Sequence, residues 1–196
     1  VAFEKVEITL PGVNKFWASF TFGPDGKLYG STIGQGLYRF TVNADGTLSN
    51  MEDLGYQGYA MIGLLWDKSS TATDMRLWVT KTSANVGNEQ AQFISGISLL
   101  TGANLQNEKK IFSGLPRSQS DHLTNSMVYG PNDDILVLQG SNQAAGDLDG
   151  SWGQRGEQLL TAALLHFDPD HPRIQAAVAD AEGDNPQLVQ TASSGL

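Results

Sequence analysis

Tight-turn signals set between short apolar runs constrain this chain more than any other feature of it. Glycine occurs 22 times and falls between alternating stretches, as in short strands joined by tight turns. Phe20-Thr21-Phe22-Gly23-Pro24-Asp25-Gly26-Lys27-Leu28-Tyr29 reads as strand, turn, strand. In that turn Pro24 presets φ, Asp25 bonds its own backbone and Gly26 accepts positive φ. The unit recurs as Gly63-Leu64-Leu65-Trp66-Asp67, a loop from Lys68 to Asp74, then Met75-Arg76-Leu77-Trp78-Val79. A third copy runs from Ser126 through Gly130-Pro131-Asn132-Asp133-Asp134 to Val137. The turn positions Gly23, Asp67 and Gly130 are 44 and 63 residues apart. The first interval matches a four-stranded propeller blade and the second a blade with an insertion.

Each copy is followed by a further apolar strand, at 36–42, 93–99 and 162–168, and the first continues into a hairpin at Asn43-Ala44-Asp45-Gly46-Thr47-Leu48. Helical periodicity is confined to Arg173–Ala181 after Pro172, which reads as a short helix or a loop. The fold class is all-β: a β-propeller of four-stranded antiparallel blades. Blades of roughly 45 residues allow three to four here, an incomplete ring. Residues 1–181 are assigned to the blades and 182–196 to a polar tail or linker. An open arc leaves faces uncovered, so the missing blades are expected from the rest of a longer chain or from a second chain.

Composition narrows the partners. A net charge of −9 argues against nucleic acid or an anionic membrane surface. No apolar run approaches the ~18 residues of a membrane span. Without cysteine there are no disulfides, thiolate metal sites or cysteine nucleophiles. No signal peptide is visible, since Val1 begins a strand-like segment, and the chain reads as mature or as a cut piece. The expected setting is extracellular or periplasmic.

Among three histidines, His122 has the richest polar surroundings, in the loop Leu115-Pro116-Arg117-Ser118-Gln119-Ser120-Asp121-His122. Histidine titrates near neutral pH and can take and return a proton, and a carboxylate such as Asp121 could orient it. Gln139-Gly140-Ser141-Asn142-Gln143 follows an apolar strand, where a loop can present polar groups to a ligand. Asp147-Leu148-Asp149-Gly150 alternates carboxylates in a manner suited to a hard cation, or is a solvated turn. The groups Asp168/Asp170 and Asp180/Glu182/Asp184 read as surface charge, and His166 with His171 lack a third ligand. Trp17, Trp66 and Trp78 read as packing residues. Trp152, in a glycine-flanked loop, is the candidate for stacking on a sugar.

The run from Gly114 to Asp168 resembles the soluble quinoprotein glucose and sorbosone dehydrogenases, which are six-bladed propellers. The residues that carry the likeness are Leu115-Pro116, Asp121-His122, Gly130-Pro131, Ile135–Leu138, Gly140-Ser141-Asn142 and Trp152-Gly153-Gln154-Arg155-Gly156-Glu157. The resemblance implies about half of such a propeller, with pyrroloquinoline quinone (PQQ) and calcium as cofactors and a sugar as substrate. It places His122 as the general base and Asp121 as its supporting carboxylate. Arg117, Gln139, Ser141, Asn142 and Arg155 become candidate cofactor contacts, Trp152 a substrate contact, and Asp147 with Asp149 candidate metal ligands. Catalytic relatives carry an acidic residue near Ser141, and their main basic cofactor contacts lie in later blades. The alternative is a non-catalytic carbohydrate- or protein-binding propeller module.

Overall fold

The structure is a computed structural model, and it describes residues 5, 14–87, 91–183 and 186–188. The strand-like segment read at Val1, Asp184 of the acidic cluster and tail residues 189–196 lie outside them.

Three antiparallel meanders follow one another along the chain. The first comprises β1 (Trp17–Phe22), β2 (Leu28–Gln35), β3 (Leu37–Val42) and β4 (Leu48–Asp53). A short strand, β5 (Gln57–Ala60), pairs with β2 and, on its other side, with β7 (Arg76–Ser83). The second meander consists of β6 (Leu64–Trp66), β7, β8 (Ser95–Thr101) and β9 (Asn107–Leu115). The third has β10 (Thr124–Tyr129), β11 (Ile135–Gln139) and β12 (Ala163–Phe167).

The turn chemistry explains the hairpins. Gly26 stands at φ 76° while Asp25 Oδ1 accepts the Lys27 amide at 3.1 Å. Gly46 stands at φ 82° while Asp45 Oδ1 accepts the Thr47 amide at 3.0 Å. In the third meander Asp133 takes the left-handed position at φ 67°, which aspartate tolerates better than most residues.

Hairpin register decides which side chains share a face, because the side-chain period is two. Phe22 pairs with Leu28, Trp66 with Leu77 and Tyr129 with Ile135, so the three hairpins are in one register. The face bearing Phe22, Trp66 or Tyr129 is here the front of its meander, and the face bearing Tyr29, Trp78 or Leu136 the back. The back of the first meander packs on the front of the second: Tyr29 meets Trp66 edge-on at 4.9 Å within a core that includes Leu37, Met61, Leu64 and Leu77. The back of the second packs on the front of the third: Trp78 meets Phe167 at 5.5 Å among Ile97, Leu99, Ile111 and Val137. Each buried aliphatic side chain in these layers contributes about 1.5–3 kcal/mol of burial.

The strands expected at 36–42, 93–99 and 162–168 appear as β3, β8 and β12. β9 has no counterpart among the expected strands, because its Glu108-Lys109-Lys110 start masks the alternation. Gly114 and Leu115 belong to it, so the polar loop carrying His122 begins at Pro116. After Pro172 the chain is helical: α1 (Pro172–Ala179) has Pro172 in its first turn, is capped by His171 accepting from the Arg173 amide, and buries Ile174 and Ala177. The tail contributes a two-residue strand, β13 (Gln187–Leu188), parallel to β9.

Candidate functional site

His122 sits where the loop after β9 turns into β10, at the end of the third meander opposite its Gly130 turn. Two hydrogen bonds fix its backbone to Ser118: the His122 amide donates to Ser118 Oγ at 2.9 Å, and the Ser118 amide to the His122 carbonyl at 3.0 Å. Gly140, just past β11, lies directly beneath. A Cβ there would come within 2.8 Å of His122 Cβ and 3.0 Å of the Leu123 carbonyl oxygen. Glycine lets the two backbones approach this closely.

The half-buried imidazole contacts Ser141, with Nδ1 2.9 Å from Ser141 Oγ. The Ser141 hydroxyl donates to the Gln143 carbonyl at 2.6 Å. Its proton is thereby committed, so Ser141 accepts from His122 and the Nδ1–H tautomer follows. Nε2 is left with its lone pair and has no partner among the described residues, the arrangement of an imidazole ready to accept a proton. Trp152 lies over the ring at a centroid distance of 4.3 Å and 46°.

The remaining candidates form the support of this pair. Asp121, expected to orient His122, is exposed and makes no hydrogen bond or ion pair among the described residues; Ser141 holds that place. Asp121 stands in the bend before β10 and faces solvent, while the β10–β11 hairpin brings Ser141 to the ring. Arg117, expected at the cofactor, is fully buried and donates to the carbonyls of Ser83 (2.7 Å), Ser118 (3.0 Å) and Ser120 (3.0 Å). Arg155, also buried, donates to the carbonyl of Arg117 at 3.1 Å. Both guanidinium groups thus satisfy the backbone of the loops under His122. Gln139 is buried, accepting from Thr124 Oγ1 at 2.7 Å and donating to the Pro116 carbonyl at 2.9 Å. Asn142 donates to the Gly156 carbonyl at 2.7 Å, and its buried Oδ1 has no partner among the described residues.

Asp149 takes the part of a cap. Its carboxylate accepts from Ser151 Oγ at 2.7 Å and the Ser151 amide at 2.8 Å at the start of the 3-10 turn Gly150–Trp152, and these bonds hold the carboxyl below its ordinary range. The cap sets Trp152 over the imidazole. Asp147 is exposed, and no group of three or more histidine, aspartate or glutamate side chains placed to hold a metal ion occurs among the described residues.

Two further contributors stand in segments the sequence singles out, though neither is itself among the candidate site residues. Glu157 accepts the Asn142 and Gln143 amides, each at 2.9 Å, closing the loop between them. Gln143 accepts the Asp149 amide at 3.0 Å and donates to the Arg155 carbonyl. His171 caps α1, and exposed His166 lies 3.5 Å from Asp134, so neither reaches this site.

No protein-family model matches the sequence, and no curated protein matches it. Solved structures do share its fold. The PQQ-bound aldose sugar dehydrogenase of Streptomyces coelicolor superposes with a TM-score of 0.59 at 18% identity, over 85% of this chain and 48% of that one. An oxidoreductase (glucose dehydrogenase) of Thermus thermophilus gives 0.55 at 17% identity, over 85% and 47%. The PQQ domain of pyranose dehydrogenase from Coprinopsis cinerea gives 0.49 at 16% identity, over 67% and 29%. The chain thus spans less than half the length of each. At these identities the likeness is one of fold: a mostly β, antiparallel, propeller-like segment.

Proposed function

We propose that this chain is part of a PQQ-dependent sugar dehydrogenase-like propeller, in which His122 Nε2 takes the proton of a sugar hydroxyl. The meanders are successive blades, four-stranded in the first two. The observation that carries the reading is the Ser141-fixed imidazole, with its Nδ1 proton held and its Nε2 free beneath the Trp152 ring. A general base must reach the hydroxyl it deprotonates, and an aromatic face beside it suits a pyranose ring. No side chain accepts hydride, so that capacity belongs to a bound quinone.

The residues present fit one part of such a site and not another. His122, Ser141 and Trp152 fit proton acceptance and substrate stacking. The quinone's three carboxylates call for cations, and Arg117 and Arg155 are turned to backbone carbonyls. Quinone and calcium contacts therefore belong to blades outside this chain, and the setting that goes with this reading is extracellular or periplasmic. No helix among the described residues is long and apolar enough to cross a membrane. The buried arginines also favour a second reading, a propeller module that recognises carbohydrate or protein without turnover.

The test is a titration of the complete propeller, this chain together with the blades outside it, with PQQ and calcium, followed by aldose addition while the quinone absorbance is monitored. Saturable binding and aldose-dependent reduction are expected, with reduction lost in His122→Ala and binding kept. Equal reduction by His122→Ala refutes the base. Failure of the complete propeller to bind the quinone at any concentration refutes the enzyme reading and leaves the recognition module.

A further inference from the structure

Two loops meet where Trp152 lies on His122, and the backbone of each is fixed from within. In the loop after β9, Arg117 clamps the chain on both sides of Gln119, donating to the carbonyls of Ser118 and Ser120, each at 3.0 Å. The two hydrogen bonds between Ser118 and His122 close the loop behind it. That closure sets where the half-buried Gln119 side chain leaves the backbone. In the loop after β11, the Asp149 cap orients the turn Gly150–Trp152, and the Trp152 and Gln154 amides donate to the Asp149 carbonyl at 3.1 and 3.0 Å. Among the described residues, no hydrogen bond joins 149–153 to 116–122. The internal bonds give the turn its shape and leave its distance from the imidazole open.

Packing supplies that distance. Gly153 ends the turn at φ 75°, a left-handed backbone that favours glycine. Its open side is taken by Gln119: a Cβ on Gly153 would fall on the carboxamide oxygen, within 2.6 Å of Gln119 Cδ and 3.2 Å of Gln119 Cβ. The Gln119 carboxamide makes no hydrogen bond among the described residues, so it acts by filling this space. We infer that Gln119 is a positioning residue: seated on Gly153, it fixes the height of the neighbouring Trp152 ring over His122, at a centroid distance of 4.3 Å. A turn that slides along Gln119 carries the indole with it. In the function proposed above the indole face receives the pyranose ring, so Gln119 acts on the sugar through Trp152. That consequence rests on the proposed function; the seat on Gly153 does not.

NMR of the complete propeller, with labelled histidine and at a pH where imidazole is neutral, tests this. The indole ring shifts the His122 ring-proton signals, and Trp152→Ala gives their position without it. Loss in His122→Ala identifies those signals, and the signals of His166 and His171, remote from the turn, are the internal reference. Gln119→Ala is expected to move the His122 signals most of the way to their Trp152→Ala position. Gln119→Glu, which keeps an oxygen in the same place, is expected to leave them near the wild type. Melting curves show that the variants fold. His122 signals unmoved in Gln119→Ala, moved as far in Gln119→Glu, or unmoved in Trp152→Ala each overturn the proposal. Gln119→Ala is also expected to raise the aldose KM more than it lowers kcat, and the reverse split overturns the action on the sugar. A propeller that turns over no aldose refutes the proposed function, and the ring shifts still decide the role of Gln119.

Discussion

Adding one methyl group at Gly140 probes the packing that holds His122. The new Cβ would lie 2.8 Å from His122 Cβ, 3.0 Å from its carbonyl carbon and 3.0 Å from the Leu123 carbonyl oxygen. Ordinary carbon contacts are about 3.5–4.0 Å, so one backbone must yield by roughly 0.5–1 Å. Neither yields freely: the Gly140 amide donates to the Leu123 carbonyl at 3.0 Å, the Ala162 amide donates to the Gly140 carbonyl at 3.2 Å, and His122 is pinned to Ser118. Overpacking of this kind costs about 1–3 kcal/mol, which for a chain of this size lowers Tm by roughly 2–12 °C. The same displacement carries Nδ1 away from Ser141, and if His122 is the base proposed above, a shift near 1 Å is worth about 100-fold in rate. Thermal melting and NMR of the imidazole nitrogens read the two effects separately. Gly130→Ala is the control: its Cβ would meet the flexible Leu136 side chain at 3.3 Å, and the change is expected within about 0.5 kcal/mol of neutral. If Gly140→Ala is as stable as Gly130→Ala and leaves the His122 nitrogen signals in place, the steric reasoning is wrong.

Ser141→Ala removes the acceptor for Nδ1–H, so the imidazole is expected to lose its single tautomer; NMR of the ring nitrogens shows this, and an unchanged Nδ1–H form counts against the assignment. Glu157→Ala leaves two loop amides without their charged acceptor and is expected to cost about 2 kcal/mol in urea unfolding, while Glu157→Gln, with one carbonyl oxygen, costs less. Glu52 is held below the usual carboxylate range by the hydrogen bond from Arg39 and then by that from Lys27. A depressed folded value adds stability above the unfolded pKa of about 4.3 and loses it as pH falls through the folded one. Wild-type stability is therefore expected to drop more steeply than that of Glu52→Gln as pH is lowered below about 4.5, and parallel curves would refute this role.

Much of the fold is legible in local chemistry. Asp25-Gly26 and Asp45-Gly46 specify their turns because an aspartate bonding its own backbone and a glycine at positive φ need no distant partner. Their spacing within strands marks Trp66 and Trp78 as packing residues, and both lie in the packed layers. The strand with a charged start, β9, escaped because Glu108 pairs with Ser98 on adjacent β8 and with Lys81 on β7 beyond it, contacts that no local pattern announces. The sequence by itself determined the turns, the succession of meanders and the histidine set in a polar loop. Only the tertiary structure decided that Ser141, 19 residues away, and not the adjacent Asp121, holds His122, because a hairpin brings the ends of β10 and β11 together while Asp121 stands exposed in the bend before β10. It also decided that Arg117 and Arg155 serve the backbone and that Asp149 caps a turn. Buried carbonyls and amides must find partners, and which side chain answers them depends on where the chain returns in space.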